Sequence, residues 1–489
     1  MPFSIQHGQL LPYTHGLPVL TLTSDSLSYP LDSSFPFDSS LGHYLSGKEL
    51  LLSELPFPVE PIISHITHGF IQVNPSLLKK HRRFFCRRCA NEDQTLFGTY
   101  WDERISEEVT YCRTCLLLGK ASEIEPLLSW SGPKPKLTIQ PDLHFSYPLT
   151  PSQQQASNAV IQAIENNESL LLFAVTGAGK TEMLFQGIER ALQDDKRVVL
   201  AIPRVDVVHE LTPRLQEAFP HVPILSLYGG SKETPTFHPL TIATTHQLLR
   251  YTDAFDVVMI DEVDAFPYSV SPMLHYAVKK AKTIHASTIY LSATPSKQIQ
   301  KEVTRTITIP ARYHRHPLLV PRFVWCGAWK KLLKKGRLPK QLLRFLHERK
   351  QTNTPVFLFV PSLDDLQRVT QILQTTFSGV DSVHAGDEKR KEKVAAFREG
   401  RLQCLVTTTI LERGVTVKGL EVAVLGAEDR IFTEAALVQI AGRVGRKKEA
   451  PKGEVIFFHH GLTTAMLKAK EHIQHKNKLA KKAGWIDEA

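Results

Sequence analysis

Ala174-Val175-Thr176-Gly177-Ala178-Gly179-Lys180-Thr181 follows the apolar run Leu170–Val175 and precedes a helical pattern over Thr181–Leu192. A strand, a glycine-rich turn and a helix in that order form a loop that grips phosphates. Small residues let backbone N–H groups turn inward. Lys180 can neutralise the β- and γ-phosphates, and the Thr181 hydroxyl can ligate Mg²⁺. Ala174 stands where the general motif has its first glycine.

Outward from this loop, short apolar runs alternate with helical patterns. Arg197–Ile202, Asp256–Asp261 and Ser287–Ser292 read as buried strands, and Val205–Ala218 as a helix. That alternation predicts a parallel sheet wrapped by helices. Ile309–Pro339, rich in Pro, Arg and Lys, interrupts it. A second alternating block follows, with strands expected at Val356–Val360, Gln403–Thr408, Glu421–Leu425 and Glu454–Phe458. The fold class is therefore α/β, with two tandem parallel-sheet domains.

The apolar run Val257-Val258-Met259-Ile260 ends in Asp261-Glu262-Val263-Asp264. An acidic residue at a strand tip can hold Mg²⁺ through water, and the next carboxylate can orient and deprotonate an attacking water. The bland alternative is an exposed acidic turn. Asp261 is the metal candidate and Glu262 the base candidate.

These two motifs make the chain resemble the superfamily-two helicases and translocases, whose two domains are RecA-like, and further signatures appear in order. Leu149-Thr150 with Gln153 resembles the adenine-sensing motif. Pro203-Arg204 and Thr244-Thr245 resemble DNA-contacting motifs, and Ser292-Ala293-Thr294 the motif that couples ATP state to lobe closure. In the second block stand Val360-Pro361-Ser362, His384-Ala385-Gly386, Thr407-Thr408-Thr409, Glu412-Arg413-Gly414 and Gln439-Ile440-Ala441-Gly442-Arg443-Val444-Gly445-Arg446. The resemblance assigns Gln153, Thr176–Thr181, Gly414 and Gln439 to ATP. It assigns Ser362, Thr408 and Thr409 to DNA. Arg443 and Arg446, at i and i+3 on one helical turn, can face one place and stabilise transferring phosphate.

Two pairs, Cys86-Arg87-Arg88-Cys89 and Cys112-Arg113-Thr114-Cys115, account for four of the six cysteines. Four thiolates at this spacing suit one tetrahedral Zn²⁺ in a closed, structural site. Unligated thiol pairs are the alternative. Arg82, Arg83, Arg87, Arg88 and Arg113 crowd the cluster and could touch phosphates, with Phe84 or Phe85 stacking on bases or serving as ribbon core.

A zinc module placed before a compact two-domain motor resembles the ComFA-type late-competence proteins. That implies a single-stranded DNA translocase acting in DNA uptake. It also implies competence-protein partners, including a ComFC-type protein and the membrane uptake channel, with oligomerisation left open. A primosomal replication-restart helicase is the runner-up, its zinc cysteines lying elsewhere. An RNA helicase and a non-motor scaffold follow.

Bulk properties agree. The 489 residues exceed what one core fills, and 42% hydrophobic with 22% charged residues describes a globular chain. The net charge of +10 fits a polyanionic partner, or solubility alone. No apolar run is long enough to span a membrane, and the first residues lack the basic start of a secretory signal, so a cytoplasmic placement is expected. The expected domains are 1–80 of unknown role, 81–120 zinc module, 121–148 linker, 149–310 first lobe, 311–340 linker and 341–489 second lobe. A basic helix at Lys468–Lys482 ends the last of these, read as a solvated face rather than a nucleic-acid contact.

Overall fold

The structure, a computed structural model, describes residues 3–6, 9–12 and 26–487 apart from 82, 104, 137, 138, 140, 146, 232, 234, 235, 413 and 414. Strands β1 (Phe3–Gln6) and β2 (Gln9–Pro12) pair as an antiparallel hairpin. Helix α1 (Ser39–Leu45) is capped by Asp38, whose carboxylate accepts from the Ser40 N–H at 2.8 Å. With α2 (Val59–Thr67) it covers an antiparallel sheet of β3 (Glu49–Leu51), β4 (Ile71–Asn74) and β9 (Leu127–Trp130), ordered β3-β9-β4. Leu41, Leu45, Ile62, Ile66, Ile71 and Leu128 fill the core between them.

Strand β9 lies in the stretch expected to be linker. Leu127 and Leu128 are fully buried, and the Trp130 ring packs beside Phe37 and Phe70. The nearby prolines hid a strand whose partners lie over fifty residues upstream. Between β4 and β9 the chain makes two hairpins. One is β5 (Leu77–Lys80) with β6 (Arg83–Cys86), the other β7 (Phe97–Asp102) with β8 (Glu107–Cys112). Residues expected to form three successive regions thus interleave in one small domain.

The first parallel sheet contains β10 (Ser169–Ala174), β11 (Val198–Ile202), β12 (Ile224–Leu227), β13 (Leu240–Thr244), β14 (Phe255–Ile260), β15 (Lys282–Ser292) and β16 (Arg305–Ile309), ordered β12-β13-β11-β14-β15-β10-β16. Its strands are buried nearly throughout, as a sheet covered on both faces requires. Helices α3 (Pro151–Glu165), α4 (Glu182–Gln193), α5 (Val205–Ala218), α6 (Pro272–Ala281) and α7 (Lys297–Glu302) accompany it.

The second sheet contains β17 (Arg322–Trp325), β18 (Val356–Phe359), β19 (Val380–Val383), β20 (Cys404–Thr407), β21 (Glu421–Leu425) and β22 (Val455–His459), ordered β17-β22-β21-β18-β20-β19 and parallel in every pairing. Strand β17 falls in the segment expected as linker and sits at the sheet edge. Helices α8 (Trp329–Lys334), α9 (Lys340–Gln351), α10 (Leu363–Thr376), α11 (Arg390–Arg398) and α12 (Glu434–Ala441) complete the layer. The terminal helix α13 (Thr464–Lys482) is not wholly solvated. Met466, Ala469, Ile473, Lys476 and Ala480 are buried along one face. Among the described residues no helix is long and apolar enough to cross a membrane.

Candidate nucleotide site and cysteine cluster

Strand β10 ends at Ala174, which is completely buried, so a small residue suits that position. The chain then turns through Gly177 at φ +78° and Gly179 at φ +75°, a region that side chains other than glycine rarely adopt. A Cβ at Gly179 would also lie 2.4 Å from the Gln153 amide nitrogen. That amide donates to the Ala178 carbonyl at 3.0 Å, while its oxygen accepts from the Thr150 N–H at 2.9 Å and hydroxyl at 3.0 Å. Gln153 is thereby fixed against the phosphate loop. Thr176 and Thr181 are buried, Lys180 half-buried, and α4 begins at Glu182, so the loop leads into a helix N-terminus that favours anions.

The Gln439–Arg446 motif starts on α12, capped by the Thr433 hydroxyl, with Gln439 buried. Its Gly442 lies directly on the phosphate loop: a Cβ there would be 2.0 Å from the Thr176 hydroxyl oxygen. Arg443 is buried, and its guanidinium donates to the carbonyl oxygens of Glu412 at 2.7 Å and Val415 at 2.6 Å. Arg446 Nε donates to Gly442 O at 3.2 Å. The two arginines thus donate to different backbone carbonyls.

Sequence reasoning passed over Arg312. It is buried, donates to the carbonyl oxygens of Gly445 at 2.6 Å and Gly442 at 3.3 Å, and rests beside Gly177. Burial, then the charge of Arg446, pulls its pKa down to about 9. His314 Nε2 also donates to Gly445 O, at 3.0 Å, while its Nδ1 accepts from the His316 N–H at 3.2 Å. Burial and the neighbouring Arg312 lower His314 to about 4, so it is neutral near pH 7. Nothing in local spacing marks these residues, because their partners lie more than 130 positions away.

Strand β14 ends as expected at the acidic turn. Asp261 Oδ1 accepts from the Glu262 N–H at 2.8 Å, and Glu262 adopts φ +53°. Asp261, Glu262 and Asp264 are half-buried while Val263 is fully buried, which sets the acidic side chains apart from the apolar one. Pro203 and Arg204 follow β11, with Arg204 paired to Asp206 at 2.7 Å. Thr244 and Thr245 are buried at the end of β13. Ser292 closes β15 and accepts from the Thr294 N–H at 3.0 Å, with Ala293 buried between them. Ser362 caps α10 through the Asp365 N–H at 3.1 Å. Thr408 and Thr409 are half-buried past β20, and Gly414 lies outside the described residues.

The two hairpins of the N-terminal domain bring Cys86, Cys89, Cys112 and Cys115 together. All four are buried, with no disulfide, and their sulfurs lie within 4.8 Å of one another. Cys86–Cys115 is 3.6 Å and Cys89–Cys112 3.7 Å. Tetrahedral zinc with bonds near 2.3 Å spaces its sulfurs by about 3.8 Å, so the set fits that ion.

Within the first knuckle Arg88 is closed off from solvent, and Arg87 is partly exposed, its side chain 35% accessible. Arg88 is 0% exposed and donates twice to Glu54, at 2.8 and 2.9 Å, and Glu54 also accepts from Arg250 at 2.8 Å. Arg87 pairs with Glu49 at 3.2 Å, which holds Lys280 at 2.6 Å. The Tyr276 hydroxyl donates to the Arg87 carbonyl at 2.8 Å. These bonds fasten the knuckle to β3 and to α6 and the turn before β14. Phe84 packs on Phe97 with Lys79 over its ring, consistent with ribbon core.

Two parallel α/β sheets carrying these motifs define a helicase-type, ATP-hydrolysing enzyme of superfamily two, with RecA-like domains. The competence protein ComFA N-terminal domain matches residues 33–129, the type III restriction enzyme res subunit 146–297, and the helicase conserved C-terminal domain 337–448. The chain is 46% identical to competence protein ComFA of Bacillus subtilis over 94% of its length and all of that protein. It is 37% identical to competence protein ComFA of Streptococcus pneumoniae, covering 83% of this chain and 93% of that one. RecG bound to a three-way DNA junction shares the fold, with a TM-score of 0.50 and 18% identity over 70% of this chain and 49% of that one. The chain belongs to the ComFA family of competence proteins, and it is a helicase-like motor of competence that uses ATP with Mg²⁺.

Proposed function

We propose that this enzyme hydrolyses ATP to move along single-stranded DNA during uptake of transforming DNA. The observation that carries the reading is the direct packing of Gly442, from the Gln439–Arg446 motif, on Thr176 of the phosphate loop. A nucleotide in that loop meets residues anchored in the second sheet, so its γ-phosphate can bias their arrangement.

In this reading Gln153 senses the base, and Thr176–Thr181 with Gln439 and Gly414 hold the nucleotide. Lys180 neutralises the β- and γ-phosphates. Thr181 and Asp261 hold Mg²⁺, which supplies charge neutralisation at the phosphates. Glu262 orients and deprotonates the attacking water. Arg446 approaches the transferring phosphate, and Arg443 holds the carbonyls of Glu412 and Val415 beside it. Ser292, Ala293 and Thr294 couple the sites. Pro203, Arg204, Thr244, Thr245, Ser362, Thr408 and Thr409 follow the DNA strand, Arg204 by exchanging Asp206 for a phosphate. The four cysteines hold one structural Zn²⁺. A ComFC-type partner and the uptake channel at the inner membrane face complete the setting.

The test is ATP turnover of the purified chain with single-stranded DNA, duplex DNA and RNA. Single-stranded DNA should stimulate turnover several-fold more than either rival. Preference for RNA, or no stimulation at all, overturns the proposal.

A further inference from the structure

Arg312 has no part in the roles proposed for ATP and DNA, yet its surroundings are those of a residue that answers to the nucleotide. Its guanidinium donates to backbone carbonyls of the arginine motif, Gly445 at 2.6 Å and Gly442 at 3.3 Å. The stem lies on the phosphate loop, where a Cβ at Gly177 would meet Cγ, Cδ and Nε at 3.6 Å. The next N–H, of Tyr313, donates to the Gly177 carbonyl at 3.1 Å. His314 adds its bond to Gly445. Arg312–His314 is thus a short strap, held to the phosphate loop at one residue and to the arginine motif at two.

The charge at this strap is unbalanced. Arg312 is 1% exposed, and the neighbour that acts on its charge is another cation, Arg446. Its buried Nε meets no acceptor among the described residues. A cation removed from water without an anion is costly, and an anion brought beside it relieves that cost. The loop it rests on is built to receive phosphates.

We propose that Arg312 is a positioning residue for ATP hydrolysis. It registers phosphate charge at Gly177–Thr181 and, through its fork of bonds to Gly442 and Gly445, sets where Arg446 stands. A planar fork holding two carbonyls is a task for arginine that lysine cannot perform. The inference rests on the ATP-hydrolysing reading and not on which nucleic acid is bound.

The experiment measures basal ATP turnover of the full chain without nucleic acid, ATP affinity by displacement of a fluorescent ATP analogue, and thermal unfolding. The variants are Arg312→Lys, which keeps charge and bulk, and Arg312→Gln. Turnover should fall about tenfold or more in both, with KM and analogue affinity within about threefold of the parent and the melting temperature little changed. In the parent, saturating ATP with Mg²⁺ should raise the melting temperature by more than it does in Arg312→Gln. Parent-like kcat in Arg312→Gln overturns the proposal. So does parallel loss of turnover, affinity and melting temperature in both variants, which assigns a structural role alone. A parent chain that hydrolyses no ATP would instead refute the enzyme reading, and Lys180→Ala would then match it.

Discussion

Two sets of arginines can be compared, and they are partnered differently. At the cysteine knuckle, Arg88 and Arg87 end on the carboxylates of Glu54 and Glu49, which in turn bind Arg250 and Lys280. At the phosphate loop, Arg312 ends on backbone carbonyls, and Arg443 donates to two more. Each carboxylate is shared by two cations, so it ties separate elements together and sets an anion beside its arginine, which suits fastening. A carbonyl orients a guanidinium and leaves its positive charge in force. Arg312 keeps a field into which an anion can come. Composition treats both sets as basic residues, and only their acceptors tell them apart.

The largest effect should come from the loop itself. Lys180→Ala is expected to lower ATP turnover by on the order of 10³-fold, since it removes the cation at the transferring phosphate. Its melting temperature without nucleotide should match the parent's, because Lys180 is half-buried and outside the core. Turnover within tenfold of the parent would break the phosphate-loop side of the comparison. Glu54→Gln tests the other side. It leaves Arg88, at 0% exposure, facing a neutral amide, and should destabilise the folded chain by about 3 kcal/mol in denaturant unfolding. Turnover per folded molecule should be unchanged, and metal content should equal the parent's. A stable Glu54→Gln with impaired hydrolysis would show that the knuckle arginines serve the motor after all.

These two sites also mark how far the sequence could be read. Fully buried parallel strands are continuous apolar runs, so Val198–Ile202 and Val257–Ile260 stood out and the acidic turn after them could be placed. Gly177 and Gly179 sit at positive φ, and that need is visible in the motif. Strands β9 and β17 were hidden because each is four residues long and set among prolines. Arg88 looked like a phosphate contact because Glu54, its partner, lies 34 residues away on an unremarkable turn. Arg312 was hidden more deeply, since a backbone carbonyl acceptor leaves no trace in residue type.

The smallest expected effect concerns a third buried cation, on the helix expected to face solvent. Lys476 is 4% exposed, with Nζ 3.3 Å from the Phe173 ring centroid of β10. Burial lowers its pKa from 10.5 to about 8. Between about pH 8 and 10.5 the unfolded chain therefore holds a proton that the folded chain has released, and stability rises with pH across that window. Below pH 8 the charge is carried inside, at a cost partly offset by the aromatic face. Lys476→Met keeps the length and removes the charge, so it should stabilise the chain at pH 7 by about 1 kcal/mol. That advantage should shrink as pH passes from 8 to 10.5 and vanish above it. A variant less stable than its parent at pH 7 would mean that the ring more than compensates burial. An aromatic face would then serve as well as a carboxylate, and the division between fastening and field-bearing cations would need a third class.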